Sequence, residues 1–372
     1  MAGPVIITGG GTGGHVFPMQ AIAEALREQG LAPSELRFVG SRRGQERQLL
    51  NGSDVALTLL PGRGLKRSWR VGDLGRNVAA SSSLLVAVLK AMVLVRRWRP
   101  SVVVSVGGYA AFAVSLAARC WGTPLVLVEL DATPGAAQRM FARYAAKRCC
   151  AFPSPGENVV VTGAPLREAI ERIDRSGEAR GLAKRTATPP IERERVVVTV
   201  MSGSLGSGRV NEAVSELALR WAARGDRAIL HVTGQRDYDK VRSRAPSSEG
   251  LDYRVFAFAD MVELWAMSDV AVCRAGATTV AELTALSIPS VLVPLPGAPG
   301  DHQAKNADVL VRAGGAVEVR DDQCTGAALD ENLARVIEPH TWRAMSLGAG
   351  TLARRGAARA IAEVIVELRA GP

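Results

Sequence analysis

Aromatic side chains are scarce. Phe, Trp and Tyr make up 5% of the 372 residues, too little for the stacking platforms that hold single-stranded nucleic acid. Nucleic acid is therefore set aside as a partner. Cysteine is sparse and poorly spaced for chemistry. Cys149 and Cys150 are adjacent, while Cys120, Cys273 and Cys324 are scattered, and none stands at metal-ligand spacing. Reduced thiols in a cytosolic protein are the expectation. Long apolar runs are missing as well. The most apolar helical stretch, 84–95, contains Lys90 and is too short to span a bilayer. Residues 1–8 run straight into a glycine loop, without a charged segment ahead of a cleavable apolar one, so no signal peptide is expected.

What is present is a chain long enough for two hydrophobic cores, 47% hydrophobic and 22% charged, as a globular protein should be. The formal net charge of +10 suits an anionic partner such as phosphorylated ligands or an acidic membrane face. The first half alternates short apolar runs with helical ones. Strands are predicted at 5–7, 36–39, 101–106 and 125–128, and helices at 18–28, 84–98 and from 112. The charged stretch 168–195 has no apolar period and reads as a linker or loose crossover. A second set follows, with strands at 196–201, 228–232, 270–273 and 290–293 and helices at 211–223 and 277–286; the tail 341–368 reads as helical and basic. Such alternation predicts an α/β protein of two doubly wound parallel-sheet domains, with ligands at the C-terminal ends of the strands and a cleft shared between the domains.

Four loops carry the chemistry. The run GGGTGGHVFP at 9–18 lets backbone amides approach a phosphate at a helix N-terminus. It has neither the Gly-Lys-Ser/Thr of a P-loop nor the acidic residue that completes a dinucleotide fingerprint. His15 stands at the loop-to-helix corner as a base or ligand contact, or else as a helix cap. Gly107, Gly108 and Tyr109 form a second glycine turn after a strand. SGSLGSG at 202–208, including Ser204, is an anion nest or a flexible connection. The densest group is CRAGATTVAEL at 273–283 with Asp301, His302, Gln303 and Asn306. Its helix N-terminus suits a diphosphate. Glu282, one turn in, can accept both hydroxyls of a ribose, or is a solvated first-turn acid.

In this order, with GAPLR at 163–167 and PLP followed by DHQ and NA across 294–307, these blocks resemble the MurG family over essentially the whole chain. The resemblance implies a GT-B fold, UDP-N-acetylglucosamine as donor and a muramyl-pentapeptide on a polyprenyl diphosphate as acceptor. It implies inverting transfer to a β-1,4 linkage in peptidoglycan synthesis, at the cytoplasmic side of the plasma membrane, with other cell-wall synthesis proteins as further partners. By position, His15 is the implied general base. Thr12, Gly13, Gly14, Asp131, Arg167, Ser204, Phe258, Ala277, Thr278, Thr279, Val280, Ala281, Glu282, Gln303 and Asn306 fall on the donor side. Gly10, Gly11, Gly107, Gly108 and Tyr109 belong to acceptor-side loops. The implied division is 1–165 for acceptor and membrane, 166–195 as linker, 196–340 for the UDP-sugar, and 341–372 returning to the first domain. No Asp-x-Asp pair stands where a diphosphate-bound metal would need one, so no metal or other cofactor is expected. Arg63, Lys66, Arg67, Arg70 and Arg76 around Trp69, Val71 and Leu74 suit an anionic lipid surface or a solvated basic loop. Two blocks depart from the family pattern: His-Glu-Gln-Asn is here Val128-Glu129-Leu130-Asp131, and Leu205 replaces a Gln. These leave two alternatives open, a related transferase with another sugar or acceptor, as in natural-product glycosylation, and a UDP-sugar-binding protein without transferase activity. A UDP-sugar epimerase is a third, disfavoured by the basic loop.

Overall fold

In a computed structural model, which describes residues 3–61, 71–203, 206–246 and 250–371, the first apolar run is β1 (Val5–Thr8), buried along its whole length. Consecutive Val and Ile suit a strand covered on both faces. There follow α1 (Gly13–Glu28), β2 (Leu36–Ser41), the short α2 (Glu46–Leu49), β3 (Ala56–Leu60), α3 (Val71–Trp98), β4 (Val102–Ser105), α4 (Tyr109–Cys120), β5 (Leu125–Glu129), α5 (Ala136–Phe141), β6 (Lys147–Cys150) and β7 (Val159–Val161). Among the described residues seven strands form one parallel sheet in the order β3-β2-β1-β4-β5-β6-β7. Ile6, Val103 and Leu127 pack with Ala87, Ala91 and Val95 of α3 and Ala113 and Ala117 of α4. After β3 the chain returns to the other side of β1, so β1 and β4 are the switch point. The loops leaving these two strands border the crevice in which such sheets take ligands.

The second sheet repeats the device. Its unit contains α6 (Glu168–Glu171), α7 (Gly177–Thr186), β8 (Val196–Met201), α8 (Gly208–Arg220), β9 (Arg227–Val232), α9 (Tyr238–Arg242), β10 (Asp252–Phe256), α10 (Met261–Met267), β11 (Val270–Cys273), α11 (Ala277–Ala285), β12 (Ser290–Leu292), α12 (His302–Arg312), β13 (Ala316–Glu318), α13 (Gly326–Ile337) and α14 (Pro339–Thr351). Six strands run parallel in the order β10-β9-β8-β11-β12-β13, with the switch point between β8 and β11. Val198, Val200 and Val272 pack with Val214 and Leu217 of α8 and Leu329 and Leu333 of α13. The last helix, α15 (Ala357–Ala370), packs beside α1. The two units are thus Met1–Arg167 with Gly356–Pro372, and Glu168–Arg355.

Several expectations change. Residues 168–195 are not a loose linker but part of the second unit. Lys184 of α7, buried, reaches Asp269 at 2.7 Å, Arg180 reaches it at 3.2 Å, and Arg175 donates to the carbonyl of Trp265 at 2.7 Å. Ion pairs and carbonyl contacts fasten this segment, so it shows no apolar period. The tail divides: residues 341–355 stay with the second unit and only 356–372 belong to the first. The first helix begins at Gly13 rather than 18, which puts His15 inside its first turn. α3 begins at Val71 rather than 84. Val71, Leu74 and Arg76 of the basic segment therefore lie in a helix, while Arg63, Lys66, Arg67, Trp69 and Arg70 lie outside the described residues.

Candidate functional site

At the first switch point the two glycine turns meet. Gly10 follows β1 and Gly108 follows β4. A Cβ on Gly108, whose φ is +89°, would fall 2.4 Å from the carbonyl oxygen of Gly10. Only a residue without a side chain permits that approach. Gly107 lies against the imidazole of His15, whose Nε2 is 3.3 Å from where a Gly107 Cβ would stand. Thr12 is the N-cap of α1, its side chain making no capping bond, and its carbonyl accepts the His15 amide at 3.1 Å. Gln138 of α5 ties the strand ends by donating to the carbonyls of Ser105 at 3.3 Å and Val128 at 3.0 Å. Tyr109 opens α4 half-buried, and desolvation raises its phenol above the ordinary value. The Arg167 guanidinium stacks over Phe17 of α1, 4.7 Å from the ring centre.

The glycine run is less open to a phosphate than its sequence suggests. Beside the Gly9 amide, which donates to the Val39 carbonyl at 3.3 Å, and the His15 and Val16 amides, which bond Thr12, two of its loop amides are held by side chains. Gly11 donates to Glu46 at 3.1 Å and Gly13 to Gln45 at 2.9 Å. Glu129, which keeps the acid of the divergent block, is buried and paired through both oxygens with Arg148 at 2.9 Å. Val128 and Leu130 are buried, and Asp131 follows β5 half-buried.

At the second switch point, α11 starts on Gly276, an N-cap with no side-chain capping bond. Its first-turn amides, those of Ala277, Thr278 and Thr279, carry the positive end of the helix dipole. Val280 is buried and its amide is used inside the helix, bonded to Gly276 at 2.9 Å, so its place in the site is structural. Ala281 is half-buried beside it. Glu282 is buried and accepts the indole N–H of Trp265 at 2.8 Å. Arg274 binds the loops together. It donates to the carbonyls of Val293 and Pro294 at 2.9 and 3.1 Å and to Ser207, the N-cap of α8, at 2.5 Å; it also pairs with Asp321 at 2.6 Å. Gln303 accepts the Leu295 amide at 2.9 Å, fixing its carbonyl end. Asn306 is fully buried and donates to the carbonyl of Ala275 at 3.2 Å. This bond ties it to the turn before α11. Phe258, after β10, is 56% exposed. Ser204 and Leu205 lie outside the described residues.

Sequence reasoning missed Gln45, Glu46, Trp265, Gln138 and a buried network behind the 202–208 loop. There His231 bonds Tyr253 at 2.8 Å and Asn211 at 3.0 Å, and Asn211 accepts from Ser202 at 2.5 Å. Its available signal was His231, a polar side chain inside the otherwise apolar run of β9.

Two parallel sheets, each with glycine-bearing loops at its switch point, are the architecture of two-domain enzymes acting on nucleotide sugars, and the chain belongs to glycosyltransferase family 28: the family's N-terminal domain matches residues 5–149 and its C-terminal domain residues 197–361. More particularly, it is 36% identical over 374 residues to the UDP-N-acetylglucosamine--N-acetylmuramyl-(pentapeptide) pyrophosphoryl-undecaprenol N-acetylglucosamine transferase of Alkalilimnicola ehrlichii, covering 99% of each chain. The protein of the same name in Pseudomonas aeruginosa is 35% identical over 377 residues, covering 100% of both. Among solved structures, MurG of Acinetobacter baumannii superposes with a TM-score of 0.76 at 27% identity, covering 98% of this chain and 99% of that one.

Proposed function

We propose that this enzyme moves N-acetylglucosamine from UDP-N-acetylglucosamine to the muramyl-pentapeptide of a polyprenyl-diphosphate-linked precursor, as the name of its full-length relatives describes. The observation that carries the reading is the match to those relatives through both units, at 36% identity over 99% of the chain. His15 takes the proton from the attacking acceptor hydroxyl, a task suited to an imidazole, which titrates near neutrality. The new bond forms at the anomeric carbon as the bond to UDP breaks, with inversion. The departing diphosphate gains charge, met by the first-turn amides of α11 and by Arg167; no protein-bound metal is required. Glu282 holds the ribose, Phe258 flanks the base, and Gln303 contacts the donor sugar.

The acceptor is a lipid, and the enzyme works from the cytoplasmic face of the membrane; α3 supports the peripheral part of that reading. Among the described residues no helix is long and apolar enough to cross a bilayer. Yet Leu85, Leu89 and Val93, one turn apart on α3, are 61%, 58% and 65% exposed, with Lys90, Arg96 and Arg97 on the same helix.

The test is product analysis with a panel of UDP-sugars and a lipid-linked acceptor analogue, with and without EDTA, on the parent and His15→Ala. The variant should lose about a hundred- to ten-thousand-fold in turnover while binding UDP like the parent. Parent-like turnover in a folded variant removes His15 as the base, and preference for another sugar moves the activity elsewhere in the family.

A further inference from the structure

One carboxylate outside the recognised motifs is buried against the first glycine run. Glu46 is 0% exposed. Its Oε1 accepts the amide of Ser41 at 2.7 Å and that of Gly11 at 3.1 Å. Three glycines make the room. A Cβ on Gly10 would meet Oε1 at 2.0 Å, one on Gly40 would meet Cγ at 2.8 Å, and one on Gly44 would meet Oε2 at 1.8 Å. Next to it Gln45, half-buried, accepts the amide of Gly13 at 2.9 Å. A carboxylate out of water is costly unless its lone pairs are met. Here backbone amides meet one oxygen and glycine packing allows the group a single pose. The loop it grips is the part of the chain with least conformational preference of its own, because glycine admits so many backbone states.

We propose that Gln45 and Glu46 are positioning residues for the transfer. They clamp the backbone of residues 11–13 from α2, and so fix the direction in which the first turn of α1 presents His15. The inference rests on the reading of His15 as the base. It also gives the glycines at 10, 40 and 44 a common purpose, as the walls around one side chain. The carboxylate acts through geometry: it supplies acceptor atoms to two amides, and its charge is not needed for that.

The experiment uses the full chain as Gln45→Ala, Glu46→Ala, Glu46→Gln and His15→Ala, with UDP-N-acetylglucosamine and a lipid-linked acceptor analogue. It reads kcat, KM, UDP affinity and the thermal melt on each preparation. Displacing a reacting group by about 1 Å costs on the order of a hundredfold in rate. Glu46→Ala should lose about that much in kcat and Gln45→Ala about tenfold, with UDP affinity falling far less than kcat, because Glu282, Phe258 and the first turn of α11 belong to the second unit and only Arg167 reaches the nucleotide from the first. Glu46→Gln keeps an oxygen for both amides and should recover to within about threefold of the parent. Should Glu46→Ala fail to fold, Gln45→Ala removes a half-buried side chain and carries the test with Glu46→Gln. Parent-like kcat in Gln45→Ala and in folded Glu46→Ala, beside a slow His15→Ala, overturns the clamp while leaving the base in place. Glu46→Gln as slow as Glu46→Ala also overturns it, by making charge the requirement. A fast His15→Ala removes the base and this inference with it.

Discussion

Trp265 directs its indole N–H at one oxygen of Glu282, 2.8 Å away, and is itself fully buried. For the ribose role proposed for Glu282 the carboxylate plane has to be fixed, and this donor fixes it. Trp265→Phe keeps an aromatic ring, smaller than the indole, and removes the donor, so a thermal melt accompanies the binding measurement. Loss of a hydrogen bond to a charged group should weaken UDP by about 1.5 kcal/mol, roughly tenfold in Kd, as read by calorimetry. Unchanged affinity would mean that Glu282 is oriented without Trp265, or that it stands away from the ribose. Such partners were not legible in the sequence. His15, Gln303 and Glu282 stood out as candidates because each belongs to a run whose neighbours carry the same chemistry. Trp265 is 17 residues from the side chain it serves and Glu46 is 35 from the amide it holds; each looks, in sequence, like an ordinary core aromatic or a solvated acid. The burial of Asn306 and its bond to the Ala275 carbonyl were equally hidden, because its place in a polar run suggested only a ligand contact.

At the scale of elements, α3 is apolar on more than its buried side. Ala87, Ala91 and Val95 are buried in the core, with Val88, Met92, Leu94 and Trp98 packed against it, and yet Leu85, Leu89 and Val93 face solvent. Fully covering one such side chain is worth about 1.5–3 kcal/mol, so an apolar surface that receives all three gains substantially. The triple variant Leu85→Ser, Leu89→Ser, Val93→Ser should keep its melting temperature and lose sedimentation with anionic vesicles at low salt. Undiminished sedimentation would put the lipid contact elsewhere. The elements easiest to read were those like β8 and β11, where unbroken Val-rich runs match doubly covered strands to the residue. β6, with Lys147 and Arg148, and β10, with Asp252 and Arg254, escaped because ion pairs hide their strand character: Arg148 with Glu129, Arg254 with Asp252. α7 escaped for the same reason.

For the whole molecule, the buried His231 sets a limit on acid tolerance. Burial pushes its imidazole from the ordinary 6.5 down to about 3. Between those values the unfolded chain binds a proton that the folded one does not. Stability is therefore full above pH 6.5 and falls as the pH drops, by about 1.4 kcal/mol for each unit, until about pH 3. Denaturant melts at pH 7.5 and 5.5 should differ by about that much more in the parent than in His231→Gln, which cannot titrate. Equal differences would show that the imidazole already finds a proton in the folded state. The general plan, two parallel sheets with four glycine-bearing loops, was visible in the sequence because each loop directly follows a strand. The place where the chain changes units was not visible. Nothing local distinguishes α14, which stays with the second unit, from α15, which returns to the first.

That return has a consequence for how the protein is made. Ala357, Ile361, Ala362 and Ile365 of α15 are buried, Gln29 donates to the carbonyl of Arg359 at 3.5 Å, and Arg369 pairs with Glu35. The first unit is thus started first on the ribosome and completed last. At roughly 5–20 residues per second, the emergence of 168–355 leaves α1 uncovered for tens of seconds, an interval in which a chaperone could bind its apolar side. The second unit is contiguous and has no such wait. A fragment of residues 168–355 should resist protease while one of 1–167 is digested, and adding residues 356–372 in trans should slow that digestion. A stable 1–167 fragment would show that nascent α1 needs no cover.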